Sequence, residues 1–90
     1  MKIEKMQTIK KLVSPIPSSP YGWKMTSEKK RNTIVANLVA HREYILNLDL
    51  NTIIEGELYD IETTNSSQMF TALRSIKEVM MEKYIELKNS

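Results

Sequence analysis

The sequence predicts an all-α fold. Two long amphipathic helices form a helical hairpin with a short acidic connecting element, preceded by a short basic helix and a Pro-rich linker. Three observations carry that expectation. Apolar residues return every three or four positions through separate stretches, the step of a helix face rather than the alternation of a strand. Two runs of breaker residues, "SPIPSSP" and "TTNSS", divide those stretches. The last stretch spaces its apolar residues four-three-four, as a coiled-coil seam does.

Residues 2–13 place Ile3, Met6, Ile9, Leu12 and Val13 at helical spacing, with Lys2, Lys5, Lys10 and Lys11 around the other side. Such a helix is marginal alone, because isolated helices below about 12–15 residues rarely persist in water. Proline lacks the amide donor and turns the preceding residue away from the helical region, so residues 14–25 are expected as a semi-extended linker. Residues 1–25 then make a basic arm, and residues 26–90 the helical domain. The second helix is expected to start at Thr26 or Ser27, with Glu28 in its first turn and Asn32 as a later candidate cap. A stripe of Ile34, Val35, Leu38, Val39, Ile45, Leu46 and Leu48 carries it to about residue 47.

Residues 49–64, "DLNTIIEGELYDIETT", admit two readings. Leu50, Ile53, Ile54, Leu58 and Ile61 fit a helix capped by Asp49, which is the favoured one. Gly56 is about 1 kcal/mol worse than alanine inside a helix, which keeps open a small hairpin turning on Glu55 and Gly56. The final helix, capped by Ser66 or Ser67, carries the seam Met69, Leu73, Ile76, Met80 and Leu87, with Lys83 where one apolar residue belongs. Phe70, Met81, Tyr84 and Ile85 widen it. Stripes this broad exceed what one antiparallel neighbour covers, so a homodimer closing them into a four-helix arrangement is expected.

Ninety residues make one domain. A chain of this size buries only about 60–65% of its unfolded surface, and staples or partners often complete it. It has no cysteine to supply a staple. No apolar run reaches the roughly 18 residues of a membrane span, and "MKIEKMQTIKKLV" carries charges where a secretion signal is apolar. The cytoplasm is the expected compartment, with no membrane partner.

The net charge of +2 hides a split. Residues 1–31 hold eight basic and two acidic side chains, a net of +6, whereas residues 32–90 hold five and nine, a net of −4. Asp49, Glu55, Glu57, Asp60 and Glu62 share a stretch without any basic residue. Such asymmetry bears on partners and encounter rates. Most unusual is "SEKKRN", which sets Lys29, Lys30 and Arg31 at the amino end of a helix, already the positive end of its dipole. Cations there are misplaced unless an acidic group rests against them. That group is a phosphate, a carboxylate cluster on another protein, or the chain's own acidic segment. With Lys24 nearby, and with Arg42 of the same helix, these residues are the candidate partner- and anion-binding set.

Arg42 falls inside the apolar arc of the second helix, where an unpaired guanidinium is costly. It is expected either to snorkel, to meet Glu55, Glu57, Asp60 or Glu62, or to contact an outside partner. Lys77 interrupts the last helix in a similar way. Trp23 is expected to fold back as a hydrophobic staple against the region of Lys30, with an exposed anchoring role as the alternative. Tyr21, Trp23, Met80 and Tyr84 are the candidate interface anchors, and Glu55, Glu57, Asp60 and Glu62 the acidic partner-facing set. Pro17-Ser-Ser-Pro20 reads as a spacer.

Chemistry is sparse. His41, the one histidine, sits beside Ile45 and Leu48 with no orienting carboxylate legible, so no catalytic site is expected. "DLNTIIEGELYD" begins like a calcium loop but puts Ile54 at the glycine position, Ile53 at a ligand position and Asp60 in place of the bidentate glutamate. No metal or cofactor is expected. The function expected is a small non-catalytic protein-interaction module, a regulator or inhibitor docking on a larger protein. A nucleic-acid-binding regulator using the basic arm and the start of the second helix is the alternative, and an assembly subunit joined through the last helix is a third reading.

Overall fold

The computed structural model describes residues 2–48, 50, 54–63 and 66–90. The expected amino-terminal helix forms as α1 (Lys2–Val13). Its buried residues are Ile9, Leu12 and Val13, one face of the turn pattern, while its lysines stay outside. Ser14 closes it, its Oγ donating to the Lys10 carbonyl at 2.6 Å.

The linker differs from expectation. Its last six residues form α2 (Pro20–Met25). Ser19 is the reason: its Oγ accepts the Gly22 amide at 3.1 Å, and Pro20 follows at the first helical position. There its missing N–H is no loss and its fixed φ suits the helix. A proline read as a breaker thus begins a helix. Thr26 ends α2 by donating its Oγ1 to the Gly22 carbonyl at 2.7 Å. Ser27 then caps α3 (Glu28–Ala40), its Oγ accepting from the Lys30 amide at 3.2 Å. Asn32 lies within α3.

The second long helix is interrupted. α3 stops at His41, and α4 (Arg42–Leu46) resumes behind it, with the Ile45 amide bonded to the His41 carbonyl at 2.9 Å. His41 has φ −103° and ψ 19°, and its Nδ1 lies 2.7 Å from the Asn37 carbonyl. The Asn37 carbonyl takes both this imidazole nitrogen and the His41 amide, the latter at 3.2 Å and shared with the Leu38 carbonyl at 3.2 Å.

The acidic stretch is helical over α5 (Ile54–Thr63), with Gly56 in its first turn. Asp49, expected as its cap, lies outside the described residues, as do 51–53 and 64. The last element, α6 (Ser66–Asn89), takes in Ser66 and Ser67, expected as its caps, as its first two helical residues.

Packing joins the four longer helices in a closed circuit. α6 lies against α1 and α5, and α3 touches both α1 and α5. Lys2 Nζ donates to the Ser90 carbonyl at 2.6 Å while Lys77 Nζ donates to the Ile16 carbonyl at 2.6 Å, so α1 and α6 run antiparallel. Among the described residues the principal neighbours of α6 are α1 and α5. Leu73, Ile76 and Met80 of its stripe are fully buried inside the chain. Residues 1–25, expected as an arm outside the helical domain, add Ile9, Leu12, Val13, Ile16 and Trp23 to the same core. No strand occurs among the described residues, and none of their helices is long and apolar enough to cross a membrane.

Candidate docking surface

Trp23 organises the basic end of the molecule. It faces inward from α2, packed against Phe70 with ring centroids 6.4 Å apart and planes tilted by 34°. The Arg31 guanidinium carbon stands 5.9 Å from its ring centroid, a cation–π contact. One of the three misplaced cations is thus held by the chain itself. Lys29 and Lys30 are not: both are exposed, and among the described residues no carboxylate pairs with Lys24, Lys29 or Lys30.

The outward side of α2 carries Tyr21 and Met25, 71% and 67% exposed. They stand four residues apart, across the helix from Trp23, with Lys24 beside them. Met25 was missed in the sequence because a linker has no face to draw; once residues 20–25 are helical, burial of Trp23 sends both outward. Behind this surface, Trp23, Glu28, Arg31, Asn32, Val35 and Met69 line an open cleft of about 270 Å³. The Trp23 Nε1 is buried and has no hydrogen-bond acceptor.

The acidic residues are elsewhere engaged or exposed. Glu55 meets Arg42 at 3.6 Å, so the guanidinium inside the apolar arc is satisfied by one of the four carboxylates expected for it, although its Nε is left without an acceptor. With 40% and 74% of the two side chains exposed, the pair contributes under about 1 kcal/mol. Asp60 and Glu62 are exposed and Glu57 is half-buried. Burial raises the Glu57 carboxyl above its usual range, and the neighbouring Asp60 charge adds to the rise. Tyr59 is also largely exposed on this helix.

Of the other expected anchors, Met80 is fully buried and Tyr84 half-buried against the core. The sequence-predicted residues thus fall into three places. Lys24 and Tyr21 are exposed on α2 and Lys29 and Lys30 in the first turn of α3; Trp23, Arg31 and Met80 serve the fold; the carboxylates ride on α5. His41 is exposed and bonded to its own helix. Among the described residues no three His, Cys, Asp or Glu side chains gather as a metal site. Comparison with protein-family models, with curated proteins and with solved structures returned no match.

Proposed function

We propose that this chain is a small non-catalytic protein-interaction module, a regulator or inhibitor that docks through α2 and the first turn of α3 on an acidic surface. The supporting observation is the pair Lys29 and Lys30. They stand exposed at the positive end of α3, and among the described residues no carboxylate pairs with them. Each cation costs its helix about 0.3–1 kcal/mol at low ionic strength. Of the three acidic groups that could rest there, none of the chain's own pairs with them among the described residues, which favours a group supplied from outside. Tyr21 and Met25, exposed on α2 just ahead of α3 in the chain, offer the apolar contact that a protein partner uses and that a free phosphate does not.

The second reading is nucleic acid, favoured by the same lysines and by Tyr21 as a stacking surface. The acidic α5 and the modest net charge of +2 weigh against it. Affinity capture from lysate, with and without nuclease, separates the two. The expected result is a protein partner that survives nuclease and is lost from the Lys29→Glu/Lys30→Glu double variant. Partners insensitive to that reversal would overturn the proposal, and partners lost with nuclease would transfer it to nucleic acid.

A further inference from the structure

We propose that the cleft between the proline segment and α6 binds a small organic acid, a molecule with one carboxylate on a short apolar body. Pro17 and Ser18 line the cleft on one side, and Arg74, Lys77, Glu78 and Met81 on the other. The four α6 residues follow steps of three, one and three, so they belong to one face of that helix. The cleft holds about 350 Å³. That is near the lower end of ligand pockets, roughly 300–1,000 Å³, and suits a metabolite-sized body rather than a dinucleotide.

Lys77 carries the inference. Among the described residues four basic side chains are half-buried: Arg31, Arg42, Lys77 and Lys83. Arg42 meets Glu55 at 3.6 Å, Lys83 meets Glu86 at 3.4 Å, and Arg31 lies over the Trp23 ring. Lys77 has the Ile16 carbonyl at 2.6 Å, and among the described residues no carboxylate pairs with it. That carbonyl satisfies one of the three ammonium donors. The charge itself stays uncompensated, which partial burial makes costly. An anion in the cleft takes the remaining donors and neutralises the charge. The bond to Ile16 also fixes the ammonium before any ligand arrives, so less ordering opposes binding.

Arg74 supplies a matching fork. Its Nε lies 3.6 Å from the Glu78 Oε1, and among the described residues no other group pairs with it. Its two Nη groups remain, and their paired N–H bonds fit the two oxygens of a carboxylate. Ser18 adds a hydroxyl, while Pro17 and Met81, both half-buried, offer an apolar wall. Two cations against the one carboxylate of Glu78 leave the lining at a net +1. That balance selects a monoanion over a doubly charged phosphate monoester.

Titration of the full chain with sodium hexanoate, followed by amide chemical shifts in NMR, tests the site. Saturable shifts are expected at Ser18 and across Arg74–Met81. Acetate lacks the apolar body and hexan-1-ol lacks the charge, so each is expected to bind about ten-fold or more weakly. Arg74→Gln changes an exposed residue outside the core and is expected to weaken hexanoate about ten-fold. Lys77→Met is expected to abolish saturation; should that variant fail to fold, Arg74→Gln and the acetate comparison still decide. The proposal is overturned by an absence of saturable shifts or by undiminished affinity in Arg74→Gln. Shifts spread over the exposed lysines, or hexyl phosphate binding more tightly than hexanoate, overturn it equally. The site lies apart from Lys29 and Lys30, so the capture experiment and this titration can fail independently.

Discussion

Residues 14–27, which carry the chain from α1 to α3, and α5, which carries it from α4 to α6, are both connectors, yet they are secured differently. The first is pinned from within. Ile16 and Trp23 are buried, and Lys77 reaches from α6 to bond the Ile16 carbonyl at 2.6 Å. The second buries Leu58 and Ile61 but leaves its polar side outward, tied across the surface by the half-exposed Arg42–Glu55 pair. A partly buried cation bonded to an otherwise orphaned carbonyl is worth more than a solvated ion pair, because its loss strands a desolvated acceptor. The difference teaches that the segment rich in prolines is anchored by buried contacts, whereas the segment with regular helical spacing is held by its apolar face and one solvated ion pair.

Removing Trp23 should break this contrast most severely. Trp23→Ala empties a large buried site and is expected to cost about 3–5 kcal/mol, a large share of the roughly 5–15 kcal/mol that holds a small domain together. Trp23→Phe should retain most of the stability, because the indole Nε1 has no acceptor to lose. Urea midpoints compare the two, and an unchanged midpoint for the alanine variant would show residues 14–27 undocked. At the next scale, Lys77→Met keeps the aliphatic stem and removes the bond to Ile16, at an expected cost of about 1–3 kcal/mol. Arg42→Met at the other connector should cost under about 1 kcal/mol. Equal losses would erase the distinction between an inner and an outer connector.

Periodicity made α1, α3 and α6 legible, because an apolar face repeats over enough turns to outweigh single exceptions. Ser27 was legible as a cap and Glu55 as a candidate partner for Arg42, since each needs only local chemistry or a matching charge. α2 was not, because its signal is one serine ahead of one proline, and the same proline belongs to a breaker-rich run. Missing α2 hid the outward Met25 and the depth of Trp23. The break at His41 is a local backbone deviation, φ −103° and ψ 19°, which no residue spacing encodes. The closed circuit of helices was hidden for a different reason. Breadth of the α6 stripe showed that more than one neighbour was needed, but not that α1 and α5 of the same chain would be those neighbours.

The two glycines give the finest measure of the same contrast, since both are helical and only their surroundings differ. At Gly22, a Cβ would sit 3.0 Å from the Pro17 Cβ and 3.4 Å from the Ser19 Oγ. Pro17 is a ring fixed in the buried connector, and Ser19 is the cap that starts α2, so neither yields freely. Gly22→Ala therefore forfeits the propensity gain of alanine and is expected to lower the urea midpoint. At Gly56 nothing opposes the added methyl, and Gly56→Ala should raise stability by up to about 1 kcal/mol. Opposite signs for one chemical change would locate the tight packing in the proline segment and the unused space on α5. Two gains would show that Pro17 relaxes. A loss at Gly56 would mean that the isolated chain already depends on its bare helix crest.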